Sequence, residues 1–186
     1  MNLEVVFAGD HVRLAEPVLA SADLAPGSVI PATAIRDADP DAVPPEIRTV
    51  SGRTVFVSAV QRAELERFCL ANRIRLQSRP NVWGDLLEPF LDTEFTPERR
   101  TVTQARLSQV GLDEDAVAGI RAKVAPLMVA YNAMHWDWCD LGLADLMDAA
   151  TAPWIPEDRQ IKPAERSAFC TWAMKIADLG HSHDRP

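Results

Sequence analysis

The sequence predicts an α+β protein, predominantly helical: a small β-containing N-terminal part (hairpin plus helix), then a C-terminal helical bundle around one long central helix. Three observations predict it. Six of the fourteen prolines fall in residues 1–50, where a missing N–H and a fixed φ exclude long helices and central strands. Ile47–Val50 and Thr54–Val57 flank a Ser51-Gly52 turn, as in a hairpin. From residue 79 onward, apolar residues recur at helical spacing. The composition, 47% hydrophobic and 25% charged, is that of an ordinary globular chain.

In chain order, Leu3–Phe7 and Val29–Ile30 read as short strands, and residues 37–45, with three prolines and three aspartates, read as a surface loop. After the hairpin, Ser58 and Gln61 have capping-box spacing. A helix follows to about Asn72, with Leu65, Phe68 and Cys69 on one face. Ile74 and Leu76 make a further strand, parallel to the preceding one through a crossover. Trp83, Leu86, Leu87, Phe90 and Leu91 then share a helical face interrupted by Pro89. Thr96-Pro97 starts the next helix as N-cap and N1, and Gly111 ends it. Asp113-Glu-Asp opens the longest helix with acids at its positive end. Its stripe runs from Val117 through Ile120, Val124, Leu127, Met128, Tyr131 and Met134 to Trp138, with Ala118, Ala125, Val129 and Trp136 on the other flank. That pattern predicts a central, buried helix bent at Pro126. Leu141–Ala150 and Pro163–Leu179 complete the bundle. The organisation is thus 1–78, 79–180 and a flexible tail 181–186, read as one compact unit.

The formal net charge is −8, with 27 acids against 19 Lys and Arg. An acidic chain does not suit nucleic acid. No apolar run reaches the length of a membrane span, and no signal-like N-terminus is present. The three cysteines, at 69, 139 and 170, are sparse and odd in number. Together these features predict a cytoplasmic protein with reduced thiols, and the excess of Arg over Lys fits a bacterial coding bias. Two blocks hold acids and no base: five acids between Arg79 and Arg99, and six between Lys123 and Arg159. If helix continues through 137–148, Asp137, Asp140, Asp145 and Asp148 share one face. Trp136, Trp138 and Trp154 lie in the same block. Trp136 and Trp154 with the four aspartates are therefore the candidate binding residues, and a basic protein partner or a second copy is the candidate ligand.

Asp92-Thr-Glu94, after an apolar run, resembles the first metal-binding motif of DEDD-type exonucleases, and His135 and Asp140 match the spacing of that family's last motif. The resemblance implies a metal-dependent hydrolase using Glu88, Asp92, Glu94 and His135, with Asp137 or Asp140. It covers two short segments, and the 43 residues between Asp92 and His135 read as helices rather than as that family's sheet. His135 and Cys139 also have i, i+4 ligand spacing, but no CxxC or HExxH accompanies them. Nothing resembles a nucleophile elbow or a phosphate-cradling glycine loop. The sequence therefore predicts no cofactor and no metal. Its favoured reading is a non-catalytic regulatory or immunity-like interaction protein.

Overall fold

A computed structural model describes residues 4–14, 27–135 and 140–180, without the side chain of His135. Two small sheets and six helices are seen among them, and the protein is α+β with helix predominating. The chain divides into two compact units, Met1–Arg79 and Pro80–Pro186.

The first unit begins with β1 (Val5–Ala8), β2 (His11–Leu14) and β3 (Val29–Pro31), an antiparallel sheet in chain order. Its alternation is clean. Val5, Val12, Leu14 and Ile30 point inward, and Val6, Arg13 and Val29 outward. The second sheet holds β4 (Ile35–Asp39), β5 (Glu46–Thr49), β6 (Thr54–Phe56) and β7 (Arg75–Leu76), in the order β6-β5-β4-β7. The hairpin of β5 and β6 forms as predicted, turning at Gly52 with φ +79°. The Thr49 hydroxyl closes that turn by accepting from the Arg53 amide at 3.0 Å.

Three expectations are corrected in this unit. Asp37–Asp39 is not loop but the end of a central strand, with β5 on one side and β7 on the other. Pro40 follows the strand's last residue, so it bounds the strand rather than interrupting it. The parallel partner of β7 is accordingly β4 and not β6. Ser58 makes no side-chain cap. Gln61 instead clamps β1, accepting from the Val5 amide (3.0 Å) and donating to the Val5 carbonyl (2.7 Å). Helix α1 (Arg62–Ala71) then lays Leu65, Phe68 and Cys69 on the core, with the Phe68 ring 5.2 Å from that of Phe7.

The register sorts the second sheet into two unlike faces. Ala38, Ile47 and Val55 form one row and belong to the hydrophobic core. Alternation turns Asp37, Arg48 and Thr54, and then Asp39 and Glu46, to the other face, where all five are buried. Asp37 takes Arg36 Nε at 2.9 Å and also pairs with the buried Arg79 guanidinium. Asp39 accepts from the backbone amides of Asp41 (3.1 Å) and Arg79 (2.9 Å). Arg48 reaches Glu46 through Nε and Nη2.

The second unit contains α2 (Val82–Leu87), α3 (Pro97–Gln109), α4 (Glu114–His135), α5 (Leu143–Thr151) and α6 (Pro163–Ala177). The Thr96-Pro97 start and the Gly111 stop form as read. The Asn81 side chain caps Gly84 (2.9 Å), Thr96 caps Arg99 (3.3 Å), and Asp113 caps Ala116 (2.8 Å). Gly111 follows α3 with φ +88°. Helix α2 packs on α3, α4 and α6. Trp83 is buried in that junction and donates from Nε1 to the Ala173 carbonyl at 2.8 Å. Helix α4 departs from expectation. Val117, Val124, Leu127, Met128 and Tyr131 are buried, but Ala118, Val129 and Met134 are exposed. It is a one-sided helix whose outer face carries no charge after Lys123, not a central buried one. No described helix is long and apolar enough to cross a membrane.

Candidate functional site

The acids of the second unit fall into two chemically different groups. The first is held by arginines. Arg106 forks onto Asp85, with Nε 2.9 and 3.0 Å from the two carboxylate oxygens and Nη2 2.5 Å from one of them. Arg99 Nε donates to Glu88 at 2.7 Å, and the Thr103 hydroxyl donates to the other Glu88 oxygen. These pairs line an open cleft of about 620 Å³ that Asn81, Gln109 and Asp140 also border. Asp85 and Glu88 there already have their countercharges.

The second group is uncompensated. Asp92, Glu94 and Glu98 are exposed, and none forms an ion pair with Lys or Arg among the described residues. A hydrogen bond from its own backbone amide, and then one from Thr96, holds the Glu98 carboxyl below its usual range. Asp92 stands at the edge of a smaller groove of about 330 Å³, walled by Pro89, Phe90, Leu91, Val129 and Ala133. Asn132 Nδ2 donates to the Phe90 carbonyl at 2.9 Å and so ties the 88–90 turn to α4. The groove is apolar because α4 turns Val129 and Ala133 outward, and it carries one unmatched carboxylate.

The residues singled out from the sequence are not gathered on one helix. Residues 140–142 are not helical, so 137–148 is not the continuous helix that would align the four aspartates. Asp140 is exposed before α5. Asp145 accepts from the Gly142 amide at 2.8 Å and fixes the start of α5. Asp148 accepts from the Tyr131 hydroxyl at 3.0 Å. These last two carboxylates are half-buried parts of the bundle, because α5 is apolar on nearly every other position. Trp154 is 44% exposed and stacks on Tyr131, ring centres 6.4 Å apart. Trp136 and Asp137 lie outside the described residues, as do Trp138, Cys139, His181, His183 and the side chain of His135.

For the hydrolase candidates, Glu88 is engaged by Arg99 and Thr103, Asp92 edges the apolar groove, and Glu94 is exposed in the loop before α3. Among the described residues no three His, Cys, Asp or Glu side chains come together as a metal site. Cys69 and Cys170 are free thiols, each pushed up to about 11 by burial and hence poor nucleophiles. Sequence reasoning missed the walls of the groove. The available signal was the charge-free run Ala118, Ala122, Ala125, Val129 and Ala133, which falls on one helical face. No family model, curated protein or solved structure matches the chain.

Proposed function

We propose that this chain is a non-catalytic, cytoplasmic interaction protein of regulatory or immunity-like type. Its C-terminal unit takes a basic, partly apolar segment of a partner protein. The observation that carries this reading is the groove between the 89–92 segment and α4: apolar walls, with the unpaired carboxylate of Asp92 at the edge. An amphipathic helix with lysine or arginine beside its apolar stripe has the complementary chemistry. The charge of residues 79–186, seventeen acids against eleven bases, favours encounter with such a partner. Asp145 and Asp148 serve the fold in this reading, so the docking acids are Asp92 and its neighbours Glu94 and Glu98.

The test is calorimetric titration of the intact protein with a synthetic leucine–lysine amphipathic peptide. Saturable binding that weakens with added salt is expected. Asp92→Lys and Val129→Lys should each lower affinity about tenfold, or about 1.4 kcal/mol. Glu165→Lys, an exposed acid at the start of α6, serves as the control. Absence of binding, or an equal loss at Glu165→Lys, would remove the groove from the proposal.

A further inference from the structure

A third concavity has the opposite electrostatic character. It lies between α3 and α4, encloses about 510 Å³, and is lined by Arg100, Thr101, Gln104, Glu114, Val117 and Arg121, with Ala118 beside them. Arg100 and Arg121 both stand over the ring of Phe95, their Cζ atoms 5.7 and 5.6 Å from its centre. Neither forms an ion pair with a carboxylate among the described residues. Arg121 is oriented from behind: Nε donates to the Leu86 carbonyl and Nη2 to the Asp85 carbonyl, both at 3.0 Å. These carbonyls belong to the last turn of α2, where a cation is favourable. Arg121 is half-buried. Burial is the main cause that lowers its pKa; the charge of Glu88 opposes it, the neighbouring positive charge of Arg100 lowers it further, and Asp85 opposes it more weakly. Two like charges thus share one aromatic ring, one of them partly desolvated, with only Glu114 as a carboxylate in the lining. Beside them the Gln104 Nε2 group is buried and has no hydrogen-bond acceptor in the protein.

We propose that this groove binds a small ligand carrying one carboxylate on an apolar body. The lining has two arginines and one glutamate, hence a net charge of +1, which matches a monoanion. A phosphate dianion would be repelled by Glu114. Guanidinium groups suit a planar carboxylate, and the unused Gln104 N–H supplies a further donor. Val117 and Ala118 supply the apolar wall for the ligand's body, and the volume is that of a small-molecule site. This site shares no residue with the groove at Asp92, so either can fail without the other.

The test is NMR titration of the whole protein with benzoate, and in parallel with inorganic phosphate and benzylammonium. Benzoate should saturate, with its largest shifts at the Gln104 side-chain amide, the Arg121 Nε and the backbone of Arg100–Gln104. Arg100→Gln should weaken it about tenfold, since it removes the exposed half of the clamp and leaves the α2 contacts of Arg121 intact. Gln104→Leu should weaken it by a smaller factor. An absence of saturable shifts, or benzoate affinity unchanged in Arg100→Gln, would overturn the site. Phosphate or benzylammonium binding as tightly as benzoate would overturn the assignment of a monocarboxylate.

Discussion

Residues up to Arg79 carry ten acids and nine bases, and those from Pro80 onward carry seventeen acids and ten bases; the larger difference lies in where the charges sit. In the N-terminal unit Asp37, Asp39, Glu46 and Arg48 are all under 9% exposed, and the Arg79 side chain is 5% exposed. They are arranged acid to base across one sheet face. In the C-terminal unit the ion pairs of Arg99 and Arg106 open to solvent on the arginine side, and among the described residues Asp92, Glu94 and Glu98 form no ion pair with Lys or Arg. A buried charge must be matched or the fold fails; a surface charge need not be. The first unit therefore uses charge to specify how strands and chain exit meet. The second leaves it facing solvent, where a partner can use it.

The strongest way to break this contrast is Asp37→Asn. The Asp37 carboxylate holds Arg79 and Arg36 at once. An amide would take a directly paired countercharge from the buried Arg79 guanidinium and set an NH₂ against one of the two arginines. A loss of about 3–5 kcal/mol is expected, as for breaking a buried pair. All five tryptophans and the single tyrosine lie beyond residue 80, so fluorescence reports only the second unit. The first must be followed by hydrogen exchange of β4 and β5 during urea unfolding. A loss below about 1 kcal/mol would mean that the buried face is no more demanding than the surface pairs.

That face also marks where the sequence stopped being legible. The hairpin, the Thr96-Pro97 start and the Gly111 stop are local devices, and local rules found them. The strand Ile35–Asp39 was unreadable because what permits two aspartates inside it is decided by the fold: Arg36 turns back onto Asp37, and Arg79, some forty residues downstream, pairs with Asp37 and gives its backbone amide to Asp39. Proline and aspartate together resemble a loop until those arginines are placed. The same limit applied to the candidate site. Asp145 and Asp148 looked like surface acids because their partners are a backbone amide and a tyrosine hydroxyl, neither of which leaves a charge pattern. Asp92 was picked out as a candidate, but its neighbours Val129 and Ala133 come from a helix face that looked buried when read alone.

A smaller effect distinguishes members of the buried cluster. Burial raises the Glu46 pKa, outweighing the opposing pull of Arg48. A carboxyl whose folded pKa lies above its ordinary 4.5 favours the folded state most when protonated. That contribution is complete below the unfolded pKa and is lost as pH rises through the folded one. Glu46→Gln keeps an acceptor for Arg48 and removes the titration. The stability of the variant relative to the wild type should therefore rise between about pH 4.5 and 7, measured by urea midpoints across that range. At pH 7 the cost should be smaller than that of Asp37→Asn, since one Glu46 oxygen takes both bonds from Arg48 and the amide oxygen can keep them, whereas Asp37 uses both of its oxygens on two arginines. A gap that widens towards acid would show that Arg48, not desolvation, governs this carboxyl.

The smallest expected effect comes from the C-terminal unit, and it is the control that gives the others meaning. Arg106 makes the better-formed of the two surface pairs, forked onto Asp85, yet its side chain is 54% exposed. Its pKa is raised first by the hydrogen bond to Asp85, but water and salt screen a pair so placed. Arg106→Gln should cost about 0.5 kcal/mol, read from tryptophan fluorescence in urea, and the cost should shrink at about 1 M salt, where the screening length is near 3 Å. Asp37→Asn should keep most of its cost at the same salt, because its charges are shielded by protein rather than by ions. If Arg106→Gln proved as damaging and as salt-resistant as Asp37→Asn, the cleft pairs would be structural, and charge would hold the second unit together just as it does the first.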